Sequence, residues 1–160
     1  MIFGKKNKDG NMAVNLMMVD GLANINKGMA IQVSLNDETN TLIVKERIGS
    51  KKASLSYDKI VNANVISEKE ILESDKSVVG RAVVGGVLLG PLGAIVGGMT
   101  GLGKKQKSEK HFYMVVNYKS DDEVKALSFE IVGASLHWSE FLIELRKRIN
   151  VVNIENEIIL

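Results

Sequence analysis

The amino-acid sequence predicts an α+β fold, in which a bent antiparallel sheet of about seven strands is capped by a C-terminal amphipathic helix. Short segments with β-type alternation fill the chain on both sides of a glycine-rich insert, and an apolar stripe at helical spacing follows the last of them. The insert stands out because nine of the fifteen glycines lie between Gly80 and Gly103. We divide the chain into a basic N-terminal arm (1–11), one domain (12–70 and 111–150), the insert (71–110) and a tail (151–160).

Alternation of apolar and polar residues predicts five strands before the insert and two after it. The first five are Ala13–Val19, Met29–Leu35, Thr41–Ile48, Ala53–Tyr57 and Ile60–Ile66, the last of which can extend to Glu70. The other two are Phe112–Tyr118 and Val124–Val132. Turn-forming residues at 36–40, 49–52 and 120–122 separate neighbouring strands. In the last strand we expect Leu127, Phe129 and Ile131 to point into the core.

A helix is predicted from about Ser135 to Ile149. Its apolar residues recur at i, i+3, i+4, i+7 and i+11, so they form one stripe for burial against the sheet. The stripe consists of Trp138, Phe141, Leu142, Leu145 and Ile149. Ser135 is the expected N-cap, because a serine hydroxyl can accept a hydrogen bond from a free amide of the first turn. For the tail, an extra strand, a docking peptide and a frayed end are all open.

Composition excludes several classes of function. The chain has no cysteine, which rules out a disulfide scaffold, a thiolate metal site and a cysteine nucleophile. The only histidines, His111 and His137, are too few for a multi-histidine zinc site. Gly98–Lys105 approaches the phosphate-binding loop pattern but lacks its final hydroxyl. We expect no enzymatic activity, cofactor or metal, and the net charge of +2 does not favour nucleic acid as a partner.

The insert carries an uncharged segment, Ala82–Leu102, in which small residues recur at every fourth position. This spacing lets helix backbones approach closely in lipid. Pro91 interrupts the segment and predicts a helical hairpin with arms at about Val78–Leu89 and Leu92–Leu102. Each arm would be about 16 Å long, too short for a hydrocarbon core of about 30 Å. The residues predicted to insert and oligomerise are Ala82, Gly85, Gly86, Gly90, Pro91, Gly93, Ala94, Gly97, Gly98 and Gly101.

The position of the insert gives a second argument for a hairpin. Because it joins two strands of one predicted sheet, both its ends must lie in the same compartment, which requires an even number of membrane passes. Basic residues flank the segment at both ends, as is typical of the cytoplasmic side of a membrane. The residues predicted to contact lipid head groups are Arg81, Lys104, Lys105 and Lys107.

The order of elements resembles the PH-like fold, particularly its bacterial PH and GRAM-type branches. Leu55–Val65 resembles the strand-turn-strand that those domains carry in mid-chain, and Val124–Val132 followed by Trp138–Leu142 resembles their last strand and capping helix. The whole chain is also similar to small proteins of Gram-positive phages and mobile elements, which carry a glycine-rich stretch like Ser77–Gly98 inside such a domain. That similarity implies a phage-encoded or anti-phage setting and gives no residue a role.

The favoured hypothesis is a non-enzymatic, membrane-active effector. The N-terminus lacks the apolar run of a secretory signal, which predicts a cytoplasmic resting form with the hairpin covered. A cue, such as a phage protein, would release the glycine-zipper hairpin to the inner face of the cell membrane, where several copies form a pore in abortive infection. The expected partners are membrane lipid, further copies of the chain and the phage protein.

Other interpretations of the insert and the domain stay open. The hairpin can serve as a constitutive shallow anchor instead of a triggered element. The protein can also be a soluble phage-derived PH-like module that binds a protein and uses the hairpin as an oligomer interface. A third alternative is a peripheral lipid-binding adaptor, which would use the basic flanks without permeabilising the membrane.

Overall fold

The computed structural model describes residues 5–74, 83–84, 87–89 and 110–155. Within them, eight strands form one sheet and two short strands form a separate pair. The strands are β1 (Lys5–Lys6), β2 (Met12–Asp20), β3 (Ala30–Asn36), β4 (Thr41–Glu46), β5 (Lys52–Ser56), β6 (Ile60–Ser67), β7 (Val83–Val84), β8 (Val87–Leu88), β9 (Phe112–Ser120) and β10 (Glu123–Ile131). The helices are α1 (Glu68–Ser74) and α2 (Trp138–Glu155), and a 3₁₀ turn covers Tyr57–Lys59.

Seven strands follow one another through the sheet in the order β5-β4-β3-β2-β10-β9-β6, and β1 pairs with β2. Every pairing is antiparallel. The seven predicted strands are therefore confirmed with small differences at their ends, since β4 stops at Glu46 and Tyr57 belongs to the 3₁₀ turn. An α+β fold built from an open antiparallel sheet and a C-terminal helix is the fold that the sequence predicts.

The main core lies between one face of the sheet and α2. Leu127 and Phe129 are buried in it, and Ile131 packs against it, as the alternation of the last strand predicts. The apolar stripe of α2 is confirmed as well. Its buried members are Phe141, Leu142, Leu145 and Ile149, and Trp138 packs against the same cluster.

The beginning of α2 differs from the prediction, because Ser135 is not its N-cap. The Ser135 hydroxyl is buried, donates to the carbonyl oxygen of Asn15 and accepts a hydrogen bond from the N–H of Val132. Serine hydroxyls can satisfy backbone groups outside helices in this way, so the residue fixes a turn to β2 instead. The helix begins at Trp138, after His137 with a φ of 63°, and continues to Glu155.

A short helix replaces the predicted extension of the β6 strand to Glu70. Ser67 N–H donates to the Glu70 carboxylate at 3.0 Å, and Glu70 N–H donates to Ser67 Oγ at 3.2 Å. This reciprocal arrangement is a capping box, and the spacing Ser67-x-x-Glu70 carries its signature in the sequence. Among the described residues, no helix is both long enough and apolar enough to cross a membrane.

The first arm of the predicted helical hairpin is wrong where the structure describes it. Within Val78–Leu89, β7 and β8 are extended and pair with each other antiparallel. Valine favours strands, and each glycine disfavours a helix by about 1 kcal/mol relative to alanine. The sequence Gly85-Gly86 between the two strands is also typical of hairpin connections. The second arm, Leu92–Leu102, lies outside the described residues.

Candidate functional site

A second apolar cluster covers the face of the sheet that lies opposite the main core. It combines side chains of β2, β6, β9 and β10 with three from the insert, one of which lies on α1. Its buried members are Val19, Ile66, Ile71, Val87, Leu89, Tyr113, Val115 and Ala126. The insert therefore supplies part of the cover of the domain to which it is attached.

Side chains of β9 alternate between the two faces of the sheet, and those on one face form part of this site. Met114 and Val116 face the main core, whereas Tyr113 and Val115 belong to the second cluster. Asn117 is the next residue on the second face, since side chains of a strand alternate between its two sides. It is only 1% exposed, so a polar amide is buried beside an apolar surface.

Beyond α1, the described part of the insert meets this face at three consecutive residues, Val87–Leu89, which we call the docking segment. Val87 is 4% exposed and Leu89 is 0% exposed, whereas Leu88 between them is half-buried. This alternation is that of an extended segment with one side against a surface. β8 contacts β6, β9 and β10, so the docking segment lies across the strands at one edge of the sheet.

Asn117 holds the backbone of Leu88 through both ends of its amide group. Leu88 N–H donates to Asn117 Oδ1 at 2.9 Å, and Asn117 Nδ2 donates to the Leu88 carbonyl oxygen at 2.7 Å. A side-chain amide offers the same donor and acceptor as a peptide group. Asn117 therefore makes the two hydrogen bonds that a neighbouring strand would make with Leu88. The contact thus requires an extended backbone at position 88 and apolar side chains at 87 and 89. The hydrogen bonds do not depend on which side chain stands at 88.

The base of the insert is closed where the chain leaves and re-enters the sheet. Ser67 pairs with Phe112, and Glu68 N–H donates to the His111 carbonyl oxygen at 2.8 Å. The His111 ring also contacts Glu130, with Nδ1 and Oε2 2.7 Å apart. Both ends of the insert are therefore anchored at one point of the domain.

Three buried polar atoms near this face lack a hydrogen-bond partner within the described part of the chain. They are the Tyr113 hydroxyl, Ser128 Oγ and Oδ1 of Asn62, which pairs with Asn117 in the sheet. Burial, and after it the charges of Glu130 and Glu68, raise the pKa of Tyr113 above its ordinary value. The hydroxyl therefore keeps its proton, and its burial without a partner costs stability.

The arrangement is suited to binding an extended apolar segment. It offers an apolar surface and one side-chain amide that hydrogen-bonds a backbone. In residues 5–74, 83–84, 87–89 and 110–155, no cluster of three or more His, Asp or Glu side chains could hold a metal ion.

The site residues predicted from the sequence all lie outside the described residues, so their assignment stays a prediction. They are Ala82, Gly85, Gly86, Gly90, Pro91, Gly93, Ala94, Gly97, Gly98 and Gly101 for insertion, and Arg81, Lys104, Lys105 and Lys107 for head groups. The sequence reasoning missed Asn117. The one available signal was an asparagine within the otherwise apolar and aromatic run Tyr113–Tyr118, at a position that alternation assigns to the outer face.

Comparison with known proteins agrees with the fold and with the insert. A family model described as a glycine zipper containing PH domain matches residues 22–137, which is more than half of the chain and includes the whole insert. No curated protein matches the chain. The sheet order, the closing helix and the glycine-rich insert between β6 and β9 fit that description. The chain therefore belongs to the family of PH domains that contain a glycine zipper.

Proposed function

We propose that the protein is a non-enzymatic, membrane-active effector whose PH-like domain stores a glycine-zipper segment and releases it on a cue. Released segments of several copies insert at the inner face of the cell membrane, oligomerise and permeabilise it. The partners are membrane lipid and further copies of the chain, without nucleic acid or a cofactor. The resting protein is cytoplasmic. The setting we propose is abortive infection, with a phage protein as the cue.

The observation that carries the proposal is the docking segment on the outer face of the sheet. It directly precedes Gly90, and with it the main part of the small-residue repeat. Two hydrogen bonds from Asn117 and the burial of Val87 and Leu89 hold it there. Because all these contacts are non-covalent, the docking segment can leave without a chemical step. These contacts support a resting state in which the insert begins against the domain.

The strength of the docking contact suits storage. Two hydrogen bonds contribute about 0.5–1.5 kcal/mol each, and two buried aliphatic side chains about 1.5–3 kcal/mol each. Ordering the backbone costs about 1–2 kcal/mol for every residue of the segment. The difference is on the order of a few kcal/mol, which keeps the segment docked at rest and lies within the reach of a binding partner.

The sequence of the insert supports the membrane-active part of the proposal. Small residues at every fourth position from Ala82 to Gly98 allow close packing of helices in lipid. A bilayer also enforces the backbone hydrogen bonding that glycine disfavours in water. Arg81 and the cluster at 104–107 would stay with the head groups, where each cation contributes about 1 kcal/mol at an anionic surface.

Dye release from vesicles of anionic lipid tests the proposal. Without a cue, wild-type protein should leak weakly, and Asn117→Leu, which removes both hydrogen bonds to Leu88, should cause leakage at a lower protein concentration. Asn64→Leu is the matched control, because Asn64 lies on the neighbouring strand and accepts a hydrogen bond from Arg146 of α2. Replacing Gly86 and Gly90 by leucine should abolish leakage by preventing close packing.

The contrary outcome is equally specific. Wild-type protein and Asn117→Leu that both form oligomers, yet neither release dye nor float with vesicles, would reject the membrane-active function. The protein-binding module with the insert as an oligomer interface would then be the better interpretation.

A further inference from the structure

The site around Asn117 recognises a segment that every copy of this chain carries. The site binds this segment by two hydrogen bonds to the backbone of Leu88 and by burying the apolar side chains of Val87 and Leu89. None of these contacts depends on the occupant belonging to the same chain. The docking segment of a second copy would make the same two hydrogen bonds and bury the same two side chains.

An emptied site would be covered again by such a segment. When the docking segment leaves, the amide of Asn117 loses both its partners, and Val115 and Ala126 lose part of their cover. Water then satisfies the amide, but the uncovered apolar patch promotes association with a segment that can cover it again. Release therefore creates a receptor and a ligand for it in the same molecule.

We propose that the emptied Asn117 site takes up Val87–Leu89 of a second copy, so that two chains exchange their docking segments. The inference deepens the proposed function, because it starts from the release step, and it names a second copy of this chain as the partner of the site. Exchange of an identical element between copies is a low-cost route to an oligomer, since every contact of the separate chains is kept.

The length of the chain allows the exchange. Residues 75–82 connect α1 to β7, and at about 3.3–3.6 Å per residue they reach at most about 26–29 Å. Such a span can carry β7 and β8 from one domain to a neighbour. A tether of this length gives the segment an effective concentration in the millimolar range at its own site. Wild-type protein therefore keeps the segment in cis at micromolar concentration, and exchange dominates where copies are crowded.

Two complementary variants test the exchange in lipid-free solution. Asn117→Trp fills its own site with a large side chain and keeps an intact docking segment. Leu89→Asp places a charge at a fully buried position of the segment and keeps an intact site. Mixed at submillimolar concentration, they should form a heterodimer with twice the 17.5 kDa of one chain, seen by sedimentation velocity. Each variant alone should remain monomeric.

The result that overturns the proposal is a mixture that sediments as two monomers, or a variant that dimerises equally well alone. Circular dichroism and thermal melting first establish that both variants are folded. If Asn117→Trp does not fold, a synthetic peptide of residues 83–89 replaces it. The peptide should shift the side-chain amide signal of Asn117 in the Leu89→Asp variant, and an unchanged signal at millimolar peptide would reject the exchange.

This test is independent of membrane activity. A heterodimer from a protein that never permeabilises vesicles would keep the exchange and reject the proposed function. Vesicle leakage by wild-type protein, together with two monomeric variants in the mixture, would keep the proposed function and reject the exchange.

Discussion

The guanidinium of Arg148 binds the carboxylate of Asp37 through two hydrogen bonds, from Nε to Oδ1 at 2.7 Å and from Nη2 to Oδ2 at 2.8 Å. The two residues are 111 positions apart in the sequence, so this pair fastens the closing helix α2 to the turn between β3 and β4. Arg148 Nη1 also donates to Glu144 Oε1 at 2.9 Å, and Tyr57 OH donates to Asp37 at 3.0 Å.

Acid should weaken the protein through these two carboxylates. Hydrogen bonds from Arg148 lower the pKa of Asp37 below its ordinary 3.8 and that of Glu144 below its ordinary 4.5. Because both values are lower in the folded state, the unfolded chain binds more protons in this range. The stabilisation that the two carboxylates provide is complete above their ordinary pKa values. It is lost as the pH falls through their lower pKa values in the folded state. Urea unfolding between pH 7 and pH 3 should show stability falling below about pH 4.5.

Arg148→Met should reduce this pH dependence and lower the free energy of unfolding at pH 7 by about 1 kcal/mol, since Asp37 is largely exposed. Lys119→Met is the matched control, because it removes one exposed cation that forms no ion pair among the described residues. An acid transition that is the same in Arg148→Met, Lys119→Met and the wild type would show that the network does not contribute to acid stability.

Asn117→Leu should free the backbone of Leu88 while leaving the sheet intact. Loss of its two hydrogen bonds removes about 1–3 kcal/mol of local stability, which corresponds to about a 5- to 150-fold faster amide exchange at Leu88. Amides of β3 and β4 should exchange as in the wild type, because neither strand contributes a described residue to the second cluster. Asn64→Leu should leave the Leu88 amide protected. Unchanged protection in Asn117→Leu would mean that burial of Val87 and Leu89 alone holds the segment.

The sequence predicts the sheet well because burial on one face leaves a period-two pattern. Leu127, Phe129 and Ile131 show it for β10, and Phe141 and Leu145 show the helical equivalent for α2. Burial of one side of a strand or helix leaves apolar residues at a fixed spacing, and this spacing is visible within the element itself. The capping box at Ser67 and Glu70 is equally local, so a search for it would have found α1.

Tertiary contacts explain what the sequence does not predict. Ser135 looks like a helix cap, but its hydroxyl bonds the carbonyl of Asn15, 120 residues away. Asn117 looks like an outward polar residue, but its partner is the backbone of Leu88, which carries no side-chain signal. The predicted helical arm is wrong at β7 and β8, where valine and glycine favour a hairpin over a helix. The fold was therefore more predictable than the site.

Gly21→Ala should destabilise the domain by about 1–3 kcal/mol. Gly21 follows β2 with a φ of 122°, and a Cβ there would lie 2.7 Å from the carbonyl oxygen of Ala126. Gly133→Ala is the matched control, since a Cβ at that position meets no atom within 4 Å. It should keep or slightly raise the free energy of unfolding measured in urea. Equal losses in both variants would exclude the close approach to β10 as the cause.

Removal of a hydroxyl from two buried tyrosines should have opposite effects. Tyr113→Phe should raise the free energy of unfolding by about 1 kcal/mol, because its hydroxyl is buried without a partner among the described residues. Tyr57→Phe should lower it by about 1–2 kcal/mol, because its hydroxyl donates to the Asp37 carboxylate. Both side chains are only 1% exposed, so the two variants remove the same group from similar burial. Urea unfolding at pH 7 measures both, and a loss of stability in Tyr113→Phe would show that its hydroxyl has a bonding partner in solution, such as a bound water.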